Sequence, residues 1–312
     1  MIHAFWVGSI GSWYALTSGT LVHAVPLILT GLAVALAFRA GVFNVGAEGQ
    51  LLLGAIAATA FGVRFGQSAG WLAIPAGLAL GAAAGAAWAA IAAGLRARFG
   101  VLEVISTIML NFVAEDLVSY LVRGPLQEHL RIYPQTESLP ANMRMAALVP
   151  GTRLHWGIVP AIALAMGLWW FLNRTAAGFR LRAIGANPFA ARVSGRIPVT
   201  RVATRALVAS GAIAGLAGAI EVCGVTYALY ENLSPGYGFT AIAVAVLAGL
   251  HPLGVVASGA VFAALETGTL ALQRDAGVPS MLAAVVEASA ILAILALIRL
   301  RRRSGGESVP AT

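Results

Sequence analysis

Residues 173–205 read NRTAAGFRLRAIGANPFAARVSGRIPVTRVATR, and this stretch decides how the rest of the chain is arranged. It contains seven arginines and no acidic residue, while the sequence on either side consists mostly of Ala, Leu, Val, Ile and Gly. Arginine-rich loops between apolar segments stay on the cytoplasmic side of a membrane. The stretch is therefore predicted to be a cytoplasmic loop between two membrane spans, and it sets the orientation of every other span.

The same loop contains a short helix with recognisable ends. Asn187 suits the N-cap, Pro188 the first helical position, and Gly195 the left-handed residue that follows a helix body at 189–194. Six or seven residues cannot hold helical form alone in water, because nucleation of a helix is unfavourable. The helix is therefore expected to pack against this protein or against another one.

The composition of the chain is that of a membrane protein. Of its 312 residues, 59% are hydrophobic and 10% are charged, and the mean hydropathy is +0.86. A soluble domain would carry charge on roughly a quarter of its residues. All 20 basic residues are Arg, and they cluster at the ends of apolar segments. A nucleic-acid site needs a basic face on a soluble surface, so no nucleic-acid partner is predicted.

Apolar runs along the chain predict an all-α, polytopic helical bundle with about nine transmembrane segments. A helix needs about 20 apolar residues to cross the hydrocarbon core. The run at 239–250 is shorter than that before it meets His251 and Pro252, so a short or broken helix is expected there. The predicted spans are 21–38, 43–62, 70–93, 103–123, 155–172, 203–223, 239–250, 253–272 and 280–298.

Alternation of the spans from the basic loop places the N-terminus outside and the C-terminus in the cytoplasm. Fourteen of the 20 arginines then lie inside and six outside, in agreement with the positive-inside rule. Residues 1–20 are aromatic and interrupted by Gly and Ser, so they are predicted to form an interfacial segment. The predicted transmembrane domain covers 21–298, with its cytoplasmic loop at 173–202, and a cytoplasmic tail covers 299–312.

Small residues recur in the predicted third span. The stretch at 77–94, GLALGAAAGAAWAAIAAG, has Gly and Ala at small-xxx-small spacing. Small side chains let helix backbones approach closely in lipid. This span is therefore expected to belong to a tightly packed bundle.

Three polar residues lie near the start of the predicted span 43–62, namely Asn44, Glu48 and Gln50. A carboxylate inside a membrane is costly unless it is hydrated or paired. Glu48 in a first helical turn would favour the helix dipole. In one interpretation Asn44 caps the helix and Glu48 lies at the membrane interface; in the other, these residues line a transport path.

A second polar set lies in the predicted span 103–123. Glu103, Ser106, Thr107 and Asn111 recur at i, i+3, i+4 and i+8, so they share one helix face. Ser and Thr often bond their own backbone and indicate little about function. Asn111 lies deeper in the span, where it either bonds a neighbouring helix or lines a polar path.

Three further carboxylates, Glu221, Glu266 and Glu287, lie in apolar surroundings. Intramembrane carboxylates can relay protons, so an ion-coupled secondary transporter of a small polar solute is the alternative function. The single cysteine, Cys223, excludes an intrachain disulfide and a multi-cysteine metal site. No catalytic residue, metal site or cofactor is predicted.

The sequence contains neither a Walker A motif nor HExxH. The missing Walker A motif has the larger consequence, because that loop binds the phosphates of ATP. If ATP drives this protein, another chain must hydrolyse it.

Four stretches together resemble a known family. They are FNVGAEGQ at 43–50, EVISTIMLNF at 103–112, RAIGANPFAARVSG at 182–195 and GYGFTAIAVAVLAGLHPLG at 236–254. All four resemble the permease subunits of bacterial ABC importers of the simple-sugar and branched-chain type. The most similar branch takes up nucleosides with a basic-membrane-protein-type lipoprotein. The resemblance covers about residues 20–298.

This resemblance implies a permease for purine nucleosides or related ribose-containing solutes in the bacterial cytoplasmic membrane. The implied partners are a cytoplasmic ABC ATPase that uses the ATP, a second permease of a different paralogue, and an extracytoplasmic substrate-binding lipoprotein. Members of this group commonly begin with a cytoplasmic N-terminus and an extra first span. This chain instead opens in what resembles the outer segment after that span.

The resemblance also suggests roles for particular residues. The loop helix is similar to the coupling helix that docks on the ATPase, whereas the alternative is a helix lying on lipid headgroups. The residues assigned to coupling are Gly185, Asn187, Pro188, Ala190, Ala191, Arg192 and Gly195. The candidate translocation path consists of Asn44, Glu48, Gln50, Ser106, Asn111 and Glu221.

Overall fold

The computed structural model describes residues 2–193 and 197–276 and the single positions 285 and 289. Within these residues the secondary structure is helical and contains no strand, which confirms the all-α class for this part of the chain. The predicted tail lies outside the described residues, and so does the predicted last span except for the two single positions.

Helices follow one another along most of the described chain. Two π-helical segments, Leu16–Thr20 and Val222–Thr226, join α2 to α3 and extend α10. The α-helices are α1 (Ile2–Ser9), α2 (Trp13–Ala15), α3 (Leu21–Arg39), α4 (Ala47–Phe65), α5 (Ala73–Phe99), α6 (Glu103–Val122), α7 (Ile158–Arg174), α8 (Ala176–Ala186), α9 (Pro188–Val193), α10 (Val199–Glu221), α11 (Tyr237–Leu247) and α12 (Pro252–Ala276).

The described helices do not confirm the predicted count of about nine spans. By length and composition, five helical segments could cross a membrane, or six if α7 and α8, bent by 79°, form one span. Helix α4 carries Glu48 and Gln50 in its first turn, and α11 has 11 residues, so neither is among the five. The five are Trp13–Arg39, Gly70–Phe99, Glu103–Val122, Val199–Thr226 and Pro252–Asp275.

Helix α3 lies at the centre of the bundle. Fifteen of its 19 residues are buried, and it packs against α10, α11 and α12. Its sequence is apolar on every face, which suits a helix surrounded by other helices. The helical segment that contains α3 begins at Trp13, upstream of the predicted start at 21, because the π-helical segment continues it without a break.

Glycines bring α4, α5 and α10 into backbone contact. A methyl group on Gly85 would lie 2.3 Å from the carbonyl oxygen of Gly211, and one on Gly54 would lie 2.0 Å from that of Gly215. Any side chain at these positions would separate the helices. The close packing expected from the small-residue spacing is therefore confirmed.

Helix α6 buries one face and exposes the other. Its polar residues Glu103, Ser106, Thr107 and Asn111 all belong to the buried face, which confirms that they share one side of the helix. The opposite side carries exposed apolar residues, as expected of a helix whose outer face meets lipid. These residues are Ile105, Met109, Phe112 and Val113.

The predicted short helix near 239–250 is confirmed as α11. It spans about 16 Å at 1.5 Å per residue, roughly half of the hydrocarbon core. Its far end lies beside the last turn of α3, where the Arg39 guanidinium donates to the carbonyl oxygens of Leu250 (3.0 Å) and Gly249 (3.4 Å). Helix α11 therefore runs from the interior of the bundle to its arginine-rich end.

The loop at 124–157 packs against the opposite end of the bundle. The backbone N–H groups of Leu139 and Met145 donate to the carbonyl oxygens of Tyr227 and Cys223, both at 2.7 Å. His155 belongs to this loop and not to the span predicted at 155–172, because α7 begins at Ile158. Its Nδ1 atom accepts a hydrogen bond from the Gly157 N–H at 3.1 Å.

Candidate functional site

A polar cavity of about 370 Å³ lies between α4, α6 and the loop before α11. Its residues on α6 belong to the second half of that helix, so the cavity lies toward the end of the bundle that carries the 124–157 loop. Three carboxylates contribute to the lining. The lining residues are Glu48, Leu52, Glu115, Val118, Ser119, Glu231, Asn232, Leu233 and Ser234.

Glu48 is the most enclosed carboxylate of the cavity, at 3% exposed. Its Oε2 atom accepts a hydrogen bond of 2.6 Å from the N–H of Gly238, in the first turn of α11. The positive end of the α11 dipole therefore faces a carboxylate. A methyl group on Gly238 would lie 2.1 Å from the Glu48 nitrogen, so only glycine permits this approach.

Glu231 forms the outer side of the same cavity. Its two carboxylate oxygens accept hydrogen bonds from Arg123, at 2.6 and 2.8 Å, and Oε1 also accepts from the Ser119 hydroxyl. The Arg123 hydrogen bonds, together with the Ser119 hydroxyl, lower the pKa of Glu231 to about 2. Glu231 is therefore ionised at neutral pH, and its orientation is fixed by α6.

Asn44 and Gln50 are buried and bonded to each other. The Asn44 Nδ2 atom donates to Gln50 Oε1 and to Ser210 Oγ, both at 2.8 Å, and Gln50 Nε2 donates back to Asn44 Oδ1 at 3.0 Å. The interpretation of Asn44 as the N-cap of α4 is wrong, because Gly46 occupies that position. Neither amide lines the cavity, and their assignment to a path stays a prediction.

Asn111 holds the irregular backbone before α4. Its Oδ1 atom accepts from the Gly49 N–H and its Nδ2 atom donates to the Val45 carbonyl oxygen, both at 2.9 Å. Ser106 donates to the Glu103 carbonyl oxygen of its own helix at 3.2 Å. Asn111 therefore lies at the α4–α6 contact, and neither residue belongs to the cavity lining.

Glu221 belongs to a different place in the bundle. It ends α10, is buried, and is not part of the cavity lining. Near Glu221, His23 of α3 lies beside Glu266 of α12, with 3.6 Å between Nδ1 and Oε1. The hydroxyl of Tyr237 lies 3.3 Å from the same His23 nitrogen. Glu266, which the sequence places in apolar surroundings, therefore has a neighbour from α3 in His23, while Glu287 lies outside the described residues.

At the arginine-rich end, the loop between α7 and α10 contains two helices. The predicted helix is α9, and its N-cap is confirmed, since Asn187 Oδ1 accepts from the Ala190 N–H at 3.0 Å. The second helix, α8, was not predicted separately; Thr175 caps it by accepting from the Gly178 N–H at 3.0 Å. Gly195 lies outside the described residues.

The exposed surface of α9 combines apolar and basic side chains. Phe189 is 76% exposed and Val193 69%, and Ala190 and Arg192 are exposed beside them. Ala191 is 6% exposed and is directed into this chain. A large exposed aromatic residue beside an arginine is typical of a protein-binding surface.

Gly185 fixes α8 against the end of α3. A methyl group on Gly185 would lie 2.1 Å from the Arg39 carbonyl oxygen and 3.2 Å from the Gly41 nitrogen. Helix α8 is therefore in direct contact with the segment that leads from α3 into α4.

Several cavity residues were not identified as site residues from the sequence, namely Glu115, Ser119, Glu231, Asn232 and Ser234. They come from two segments more than a hundred residues apart, so no local pattern joins them. One usable signal exists in the stretch SPGYG at 234–238, where Gly236 adopts φ +101° just before a helix. Such a turn can bring a helix N-terminus close to another backbone.

The cavity and the loop helix both lie within a stretch that matches a known family. Residues 16–299 match the family described as the permease component of the branched-chain amino acid transport system. The chain belongs to this permease family.

Curated relatives of the permease cover most of its length. It is 39% identical to the guanosine ABC transporter permease protein NupP of Bacillus subtilis over 93% of this chain and 83% of that protein. It is 38% identical to the glucose ABC transporter permease protein TsgB13 of Haloferax volcanii over 93% and 78%. It is 32% identical to the nucleoside ABC transporter permease protein NupB of Lactococcus lactis over 86% and 76%.

Proposed function

We propose that the chain is the membrane-spanning permease subunit of an ATP-driven ABC importer for purine nucleosides or related ribose-containing solutes. The observation that carries this proposal is the 370 Å³ cavity, in which Glu48 faces the start of the short helix α11. Broken helices whose ends face the interior of the bundle form solute sites in many transporters. The size falls in the range of about 300–1,000 Å³ for small-molecule sites.

The cavity chemistry suits a solute rich in hydrogen-bond donors. Carboxylates accept hydrogen bonds and can bind two neighbouring donors at once. Ribose hydroxyls and purine N–H groups are such donors. The names of the relatives, which include guanosine and nucleoside permeases, support the same class of solute.

Coupling to ATP is assigned to α9. Its exposed surface, Phe189, Ala190, Arg192 and Val193, would dock on a cytoplasmic ABC ATPase that binds and hydrolyses the ATP. Movement of α8 would reach the cavity through Gly185, which contacts the segment between α3 and α4. Arg39, at the end of α3, also bonds the turn after α11, so both sides of the cavity connect to this junction.

The remaining partners are a second permease and a substrate-binding lipoprotein on the outer side. Bacillus subtilis has two guanosine permease proteins, NupP and NupQ, which are 39% and 30% identical to this chain. This chain is more similar to NupP than to NupQ, which supports the proposal that its partner permease is a different paralogue. The proposed location is the bacterial cytoplasmic membrane, with the N-terminus outside and the C-terminus in the cytoplasm.

Uptake by the assembled importer tests the proposal. The full chain, reconstituted in liposomes with its neighbouring permease, ATPase and lipoprotein, should accumulate radiolabelled guanosine only when ATP is enclosed with the ATPase. A protonophore should leave the initial rate unchanged. Uptake that continues without ATP and collapses with the protonophore would establish ion coupling instead.

A further inference from the structure

A second cavity, of about 220 Å³, lies at the arginine-rich end of the bundle, away from the solute cavity. Its walls come from the ends of α3, α7 and α10 and from α8, which follows α7 after a bend of 79°. The lining is mostly apolar and includes Leu36, Phe171, Leu181 and Val202. An apolar space at the ends of membrane helices suits a hydrocarbon chain.

Two arginines, Arg180 on α8 and Arg205 on α10, line the same cavity. Neither guanidinium has a hydrogen bond or an ion pair with any residue in the described ranges, whereas Arg39, Arg96 and Arg123 all have such partners. The whole segment 173–205 contains no acidic residue that could neutralise them. Among the described residues, the cavity therefore presents two unpaired positive charges beside an apolar space.

From this arrangement we infer that the cavity binds an anionic phospholipid, whose phosphate lies between Arg180 and Arg205 and whose acyl chain enters the apolar part. Basic pockets between membrane helices on the cytoplasmic side bind anionic lipid headgroups. The arginine side chains attract the phosphate strongly there, because little water is present to screen the two charges. An ATPase surface is the less suitable occupant, since Leu36 and Phe171 would then face a polar partner. The lipid would brace α8 against α10, next to the loop helix.

Native mass spectrometry of the purified full chain tests the inference. After delipidation, dioleoyl phosphatidylglycerol should bind at least about tenfold more tightly than dioleoyl phosphatidylcholine. The reason is that only phosphatidylglycerol carries a net negative charge, which each of the two arginines attracts. The double variant Arg180→Gln/Arg205→Gln should lose roughly thirtyfold in phosphatidylglycerol affinity. Arg180→Lys/Arg205→Lys should keep most of the preference, and Arg174→Gln, at the same end of the bundle but outside the cavity, should keep all of it.

Five results would overturn the inference. The wild-type chain could show no preference for phosphatidylglycerol over phosphatidylcholine, and this measurement depends on no variant. The double Gln variant could bind it as the wild type does, or Arg174→Gln could weaken it equally. Glycerol phosphate without acyl chains could bind as tightly as the lipid, which would indicate a free phosphate site. The double Gln variant could lose the ATPase on co-purification while keeping the lipid, which would assign the arginines to that interface.

Discussion

At the scale of single residues, buried polar side chains in this permease fix backbone that has no regular secondary structure. Asn111 bonds both Val45 and Gly49, and Asn44 bonds Ser210 of α10. Such groups must find partners, because an unpaired amide in lipid surroundings costs free energy. Sequence alone predicted that Asn111 would either bond a neighbouring helix or line a polar path. The structure shows hydrogen bonds between Asn111 and the backbone of Val45 and Gly49. Glu48 differs, because it also contributes to a cavity.

Replacement of Glu48 tests the solute cavity. Glu48→Gln keeps the size of the side chain but removes the charge that accepts from Gly238 and from the solute. Since a charged hydrogen bond contributes about 1–2 kcal/mol more than a neutral one, the KM for guanosine uptake should rise about tenfold. Asp116→Asn is the matched control on α6, exposed and outside the cavity, and its KM should not change. Equal effects of both variants would contradict the assignment.

His155 should make the folded chain sensitive to mild acid. Burial lowers its pKa to about 4 from the ordinary 6.5. The unfolded chain therefore binds the proton more readily, so the contribution of neutral His155 is complete above pH 6.5 and is lost as the pH falls toward 4. Between pH 7.5 and 5.0, the unfolding free energy should fall by up to about 2 kcal/mol from this group.

Thermal unfolding of the purified chain at the two pH values measures this loss. In His155→Asn the Oδ1 atom can still accept from Gly157, so the variant should fold and show a smaller drop in melting temperature. His129→Asn replaces an exposed histidine of the same loop and should behave as the wild type does. If the melting temperature of His155→Asn falls between the two pH values as much as that of the wild type, His155 is not the cause of the acid sensitivity.

At the scale of helices, glycine decides which faces meet. Along α5, Gly81 and Gly85 touch α10, whereas a methyl group on Gly94 would meet nothing within 4 Å. The small-xxx-small pattern predicted close packing but not which glycines would take part. That depends on where α10 crosses α5, which only the tertiary structure shows.

A pair of substitutions in α5 separates packing from helix propensity. Gly85→Ala puts a methyl group 2.3 Å from the Gly211 carbonyl oxygen, and overpacking of this kind costs about 1–3 kcal/mol. Gly94→Ala enters open space and should be neutral or slightly stabilising, because alanine favours helices. Melting temperatures in detergent should therefore fall only for Gly85→Ala. A similar fall in melting temperature for both variants would show that the contact of Gly85 with α10 is not the cause.

The short helix α9 provides the second prediction at this scale. Phe189→Ala removes the largest exposed apolar group of its surface, so retention of the ATPase on co-purification should weaken by about 10–30-fold. Phe99→Ala, at an exposed position of α5 at the same end of the bundle, should retain the ATPase as the wild type does. Undiminished binding by Phe189→Ala would argue for a helix that lies on lipid instead.

At the scale of the whole molecule, the polar cavity beside Glu48 and the loop helix α9 lie toward opposite ends of the bundle. The cavity lies toward the 124–157 loop, which contains both charge signs, and α9 lies in the loop with seven arginines. This separation fits the proposed import, in which the solute enters on one side of the membrane and ATP is used on the other. The central helix α3 contacts elements of both regions, since it packs on α11 and touches α8.

Cysteine labelling tests the orientation of the bundle. In a Cys223→Ser background, Arg131→Cys in the 124–157 loop should react with a membrane-impermeant maleimide in intact spheroplasts, because the loop is predicted to be outside. Arg192→Cys in α9 should react only after the membrane is permeabilised. The reversed pattern would invert the proposed topology. Cys223 is buried, so its replacement should disturb little of the surface.

The sequence by itself determined the helical class, the membrane setting, the short helix α11 and the capped helix α9. These properties follow from composition, from local periodicity and from residues adjacent in the chain. Tertiary structure alone decided that Asn44 and Asn111 brace the start of α4, and that Glu48, Glu115 and Glu231 share a cavity. The physical reason is that such contacts join segments distant in sequence, whose meeting depends on how the helices cross.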